Sequence, residues 1–219
     1  MAKTIFSVNR PDLGDAEALA QFPPGAEWTH AEYSGLAFSD RQWQEQNHPG
    51  IRCDRAVFKN VVLSRTKMRE AVFDDVRFTS CDLSGADWSG GQLSRVEFLS
   101  SRLTGFVGAE GHFKDVLLRG CKLDYAIFQT AKLTRCHFEK CDLSQATFDG
   151  ATASHVTFRD CNLSNARFIR ARLADVDLRG SRIDGLEINL EELRGLRVDL
   201  SQTPEIAALT GVVIEDRCE

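Results

Sequence analysis

Four cysteines, Cys81, Cys121, Cys141 and Cys161, recur at multiples of twenty residues, and one of them closes the stretch CHFEKC at 136–141. Thiolates and imidazoles brought together hold soft divalent metals, and neighbouring thiols carry redox chemistry. A second reading gives these cysteines no chemical task. Ser101 and Ser181 stand in the same twenty-residue series, and cysteine packs as a small apolar residue. His137 alternates outward from the inward Cys136 and Cys141, so the three side chains do not converge, and the packing role is preferred. Cys53 and Cys218 lie outside the series. His112, His137 and His155 are scattered at outward positions. The sequence has no glycine-rich phosphate loop after a strand, no histidine pair at helical spacing and no nucleophile elbow. The expectation is a chain that is not an enzyme, with no metal and no cofactor.

The whole-chain quantities agree. The 219 residues carry 27 basic and 32 acidic side chains, a net charge of −5. This is no polycation for wrapping nucleic acid, so direct nucleic-acid binding is not expected. No apolar run approaches the roughly 18 residues of a membrane helix, and MAKTIFSVNRPDLGD has no apolar core of signal-peptide length. The expected location is the cytoplasm, away from membranes. Seven cysteines, an odd number without an export signal, are expected as free thiols.

The elements that position these groups follow from one register. Every fifth residue from Phe58 to Ile188 is large and apolar except Gly108 and Ala153, and a small or β-branched residue sits two positions before nearly all of them. A helix would repeat every 3.6 residues and a half-buried strand every two. A five-residue repeat requires one identical backbone step per repeat, the mark of a repeat architecture. A twenty-residue superperiod is also present. Phe58, Phe78, Phe98, Leu118, Phe138, Phe158 and Leu178 form one series, and Leu63, Leu83, Leu103, Leu123, Leu143, Leu163 and Ile183 the next.

The segments CDLSG (81–85), CDLSQ (141–145), CNLSN (161–165) and VDLRG (176–180) resemble the pentapeptide-repeat family. The resemblance implies an all-β fold, a right-handed quadrilateral β-helix in which four pentapeptides make one coil. The solenoid is expected over 31–190, with a cap or lead at 1–30 and a capping and dimerisation tail at 191–219. Within the lead, DAEALAQF (15–22) reads as a short helix ended by Pro23, Pro24 and Gly25, and QEQNHPG (44–50) as a loop inside the first coil. At 106–112, FVGAEGH puts Phe106 in a small slot and Gly108 in a large one. A bulge is expected there, turning Phe106 or Val107 outward and making Phe106, Val107, Glu110 and His112 a candidate partner contact; a simple packing defect is the alternative.

Beyond Ile188 the pattern stops. Thr203, Pro204 and Gly211 suit the cap, first turn and end of a helix of about two turns, followed by a short strand at 212–214. This layout is similar to the tail of the Qnr and MfpA quinolone-resistance proteins within the family. That resemblance implies a homodimer whose interface would use Leu196, Val198, Leu200, Ile206, Leu209, Val212, Val213 and Ile214. It also implies DNA gyrase or topoisomerase IV as partner, engaged partly by DNA mimicry and protected from a poison. The acidic groups available for mimicry cluster at that end: Glu187, Glu191, Glu192, Asp199, Glu205, Glu215 and Asp216. The coil sides are near neutral, which leaves a general protein-interaction scaffold as the alternative.

Overall fold

The computed structural model describes residues 7–15, 19–23 and 31–211. It is a parallel β-solenoid of about 8 turns with a short C-terminal helix. Strands pair in register twenty residues apart: Cys53 lies beside Phe73, then Leu93 and Phe113, and Phe58 beside Phe78, Phe98 and Leu118. On the other two sides single bridges continue the same register, from Gln42 to Arg182 and from Asn47 to Glu187.

The repeated step is visible in the backbone. Every fifth residue from Gly35 to Gly185 has a positive φ, between 46° and 78°. One left-handed residue per pentapeptide turns the chain onto the next side, and each costs on the order of 1 kcal/mol when it is not glycine. Asp, Asn and Ser fill many of these corners, because short polar side chains tolerate this region best.

Stacking offsets the cost. Phe38, Phe58, Phe78 and Phe98 lie face to face with centroids 4.6, 4.6 and 4.9 Å apart, and Phe128, Phe148 and Phe168 repeat this at 5.1 and 4.7 Å. Leu143 is fully buried in the column of Leu123 and Leu163. Each offset ring pair contributes about 0.5–1.5 kcal/mol beyond the area it buries.

Three local expectations are corrected. Residues 44–50 are not a loop. Asn47 bridges Lys67, and the amides of Glu45, His48 and Gly50 donate to Ser64, Lys67 and Arg69 across the coil. The helix expected at 15–22 does not extend through its described end, where Ala20–Gln21 is a strand paired with Leu36 and Ala37. That strand lays Phe22 over the open coil end, with its ring 4.9 Å from Phe38 and 5.7 Å from both Tyr33 and Trp43. At 106–112 the ladder continues unbulged, and Phe106 points inward at 1% exposure. Its ring packs edge-on against Trp88 at 5.4 Å. A β-carbon at Gly108 would lie 2.7 Å from Phe113 and 3.0 Å from Phe106. The two residues have exchanged sizes, so Phe106 fills the interior that Gly108 leaves empty. The residual apolar cavity is only about 10 Å³.

The N-terminal segment holds a further feature. Residues 7–14 run along the outside of the rod. Asn9 and Asp12 donate their amides to Asp115 and Asp75, Arg10 lies 3.7 Å from Glu97, and Leu13 is buried.

At the C-terminal end the helix is Thr203–Ala208, preceded by a 3-10 turn at Leu200–Gln202. Gln202, rather than Thr203, stands at the cap position. Its buried amide donates to the carbonyls of Leu178 and Ser181 at 2.9 and 2.6 Å, while its oxygen accepts from the Asp199 amide at 2.7 Å. The bond to Ser181 satisfies a buried carbonyl at the coil end, and the bond to Leu178 adds to the one its carbonyl already accepts from the Ser181 amide. The strand expected at 212–214 lies outside the described residues.

The exchange at 106 and 108 is testable by a double-mutant cycle. Phe106→Ala alone should cost about 3–5 kcal/mol of unfolding free energy, and Gly108→Leu alone about 1–3 kcal/mol through overpacking. Combined, they should cost much less than the sum in urea denaturation. Additive effects would mean the two sites do not share one volume.

Candidate functional site

The cysteines form a column without converging on a ligand. Cys81, Cys121, Cys141 and Cys161 are buried and free, as are Cys53 and Cys136. Each thiol of the column has two backbone carbonyl acceptors, such as Leu118 and Glu139 for Cys141, both at 3.4 Å. Burial pushes the Cys81 thiol up to about 11 and Cys136 up to about 12. Cys121 and Cys161 are also pushed up, by their hydrogen bonds with Cys141 between them and by burial. The same hydrogen bonds, donated by Cys121 and Cys161, lower Cys141; the other four, protonated and enclosed, are poor nucleophiles. Among the described residues one group has metal-ligating proximity, Asp54, Asp74 and Asp75. Arg55 binds Asp54, and Arg95 binds both Asp74 and Asp75, so two guanidinium groups already occupy these three carboxylates.

The candidate contact residues separate. Phe106 is core, while Val107 is half-buried on an outer side between Asp87 and Ile127. Glu110 is exposed at a corner, and His112 is exposed on the following side. Ile127 and Tyr125, with 36% and 54% exposure, add apolar surface next to Val107.

Of the acidic residues at the C-terminal end, several are bound internally. Glu187 faces Arg167 at 3.4 Å, Glu192 accepts from the amides of Asn189 and Arg170 at 2.8 and 3.0 Å, and Asp199 accepts from Gly180. Glu191 is exposed, and Glu205 is half-buried with one carboxylate oxygen unpartnered. Leu196, Val198, Ile206 and Leu209 pack partly buried on the core, whereas Leu200 is 90% exposed. Val212, Val213, Ile214, Glu215 and Asp216 lie outside the described residues.

A channel that the sequence reading did not identify lies under residues 7–14. Three consecutive outward positions of one column, Glu97, Leu117 and His137, are buried at 2%, 4% and 9% exposure. His137, expected on the open surface, is therefore covered, and burial lowers its pKa. Along one corner Arg95 grips Asp75 at 2.6 and 2.8 Å and Arg135 grips Asp115 at 2.7 and 2.6 Å. Burial opposes the charge on both carboxyls, but the arginine bonds and the amides of Asp12 and Asn9 outweigh it and hold both below their ordinary value. The signal in the sequence was Leu117, an apolar residue at an outward position of HFKDVLLR, together with the proline-stiffened NRPDL (9–13).

This docking is pH-dependent with a fixed sign. Both carboxyls are depressed, so their contribution is complete above the ordinary value of 3.8 and is lost as pH falls through the folded values. Leu13 methyl resonances should stay in their docked positions down to about pH 4 and move to random-coil positions only below it. Release between pH 5 and 7 would show that other groups hold the segment.

A search of curated protein sequences finds no match. Among solved structures the chain is similar to QnrB1, a plasmid-mediated fluoroquinolone resistance protein. A trypsin-treated form matches with 21% identity and a TM-score of 0.47, over 84% of this chain and 90% of that one. It is also similar to HetL from the cyanobacterium Nostoc sp. Strain PCC 7120, described as involved in heterocyst differentiation regulation, with 15% identity and a TM-score of 0.38, over 75% and 88%. The family model described as pentapeptide repeat region matches residues 26–107 and 131–206, well over half of the chain. With the five-residue corners and the twenty-residue register in place, the chain belongs to the pentapeptide-repeat family.

Proposed function

We propose that this chain is a non-catalytic rod that binds DNA gyrase or topoisomerase IV and protects it from a poison, two copies being joined through their C-terminal ends. The observation that carries this reading is the unfinished apolar surface at that end. Leu190 and Leu200 are 54% and 90% exposed, and Ile183, Leu186, Ile206 and Leu209 line an adjoining groove. A helix of six residues is too short to be stable without tertiary contacts; Ile206 and Leu209 supply part of these against the core, and a second copy would cover what they leave exposed. Two-fold pairing there would double the rod and bring both sets of terminal residues to its middle.

The structure changes how mimicry would work. With Glu192 and Asp199 engaged internally and Glu205 half-buried, the carboxylates most open to a basic saddle at the described end are Glu191 and Glu187. Engagement would rest on the shape of the doubled rod more than on surplus charge. The alternative, a general interaction scaffold, is favoured by the neutralised coil sides, where Arg65 pairs with Glu45, Arg119 with Glu139 and Arg167 with Asp149.

A supercoiling assay separates the two. The full-length protein should restore gyrase or topoisomerase IV activity in the presence of a fluoroquinolone or albicidin, and deleting residues 203–219 should abolish both protection and dimerisation seen by light scattering. A dimer that protects neither enzyme would leave the scaffold reading. A monomeric full-length protein would remove the doubled rod.

A further inference from the structure

The channel under residues 7–14 has a repeat that matches an extended chain. Asp75 and Asp115 stand two coils apart on one corner, about 9.6 Å at the usual strand spacing of ~4.8 Å. Asn9 and Asp12, whose amides they bind, are three residues apart, about 10 Å at ~3.3 Å per extended residue. The two repeats agree, so carboxylates on alternate coils present acceptors in step with a peptide laid along the rod. Pro11 sits between these donors, has no amide of its own and favours the extended form.

The segment now in the channel fills it incompletely. Glu97 has a side chain 3% exposed; one oxygen accepts from Arg77 at 2.8 Å, and the other has no hydrogen bond. Arg10 is 3.7 Å from that second oxygen and its side chain is 66% exposed, too far for a hydrogen bond. Two coils along the same column the buried His137 also has an unpartnered ring nitrogen, Nε2, with apolar Leu117 between the two. A buried acceptor left without a donor is costly, and the Glu97 oxygen facing Arg10 is such an acceptor in the channel itself.

We propose that this channel is a docking site for an extended segment of a partner protein, one that offers backbone amides three residues apart and a cation between them, and that residues 7–14 occupy it in cis as a displaceable placeholder. Charge complementarity selects the occupant. The two corner carboxylates accept its amides, Glu97 takes an arginine or lysine brought within hydrogen-bond range, and the slot that covers Leu13 takes an apolar side chain. The site is independent of the topoisomerase reading, since it uses neither the C-terminal end nor the acidic residues there.

The test uses the full chain and a labelled peptide of residues 7–15, SVNRPDLGD, as the probe. Arg10→Ala with Leu13→Ala loosens the placeholder and should raise peptide affinity at least tenfold over the wild type, with one peptide per chain and no binding of a scrambled sequence. Adding Glu97→Gln should reverse most of that gain. Equal affinity for the wild-type and loosened chains, or indifference to Glu97→Gln, overturns the proposal. A second measurement needs no variant: in the isotope-labelled wild-type protein, excess unlabelled peptide should accelerate hydrogen exchange at the Asn9 and Asp12 amides. Unchanged protection at millimolar peptide overturns it equally. A loosened chain that associates with itself, forming dimers that added peptide does not dissolve, would assign the channel to a second copy and overturn the external partner.

Discussion

The structure depends on each interior side chain lying on its counterpart twenty residues away. That stacking holds the coils at strand spacing, and strand spacing allows amides on all four sides to find carbonyls on a neighbouring coil. It is only possible if all coils have the same length. An insertion of one residue would move an entire downstream set of columns out of alignment, which is why the left-handed corner recurs without interruption from Gly35 to Gly185. The strain at each corner is accepted because the alternative, losing a column of ring and aliphatic contacts, costs more.

A stack that repeats has ends and outer faces, and the chain treats them differently. The first coil is covered by one aromatic residue, Phe22, delivered by a two-residue strand. The last coil is closed by one polar residue, Gln202, which answers two carbonyls and an amide at once. The cap at one end is mainly apolar and the plug at the other mainly hydrogen-bonded, and around the plug several leucines remain outside. This asymmetry makes the C-terminal end the natural place for continuation into another copy.

The outer surface is a lattice of neutralised charge more than an acidic coat. Arginines reach one coil up or down to carboxylates of the same or a neighbouring column, and exposed pairs of this kind contribute little to stability. Their effect is on recognition, since a partner meets local dipoles instead of a field of one sign. Along the corner of Asp75 and Asp115 such pairs lie under cover, as does the neighbouring Arg77–Glu97 pair, and on that corner the arginines orient the carboxylates toward backbone amides of another segment. The same kind of pair is a surface ornament on one column and part of a binding surface on the next, according to what lies over it.

The amino-acid sequence alone determined the period, the superperiod and the identity of nearly every interior residue. Those follow from which side chains recur, and periodicity needs no coordinates. It also indicated that Cys81, Cys121, Cys141 and Cys161 were column members, because serine takes the same place. What it could not determine were properties of pairs of residues that no period relates. Phe106 turns inward because Gly108, two positions on, leaves room for its ring, and a pattern that scores each slot separately reads both as errors. His48 and its neighbours look like a loop by composition, yet the following coil imposes the register on them. Glu97, Leu117 and His137 are outward by period but buried, and Glu97 faces Arg10 of a segment far earlier in the chain. Only the tertiary structure brings that segment to them, because its docking depends on carboxylates spaced by the coil and amides spaced by an extended strand, two distances that meet only in three dimensions.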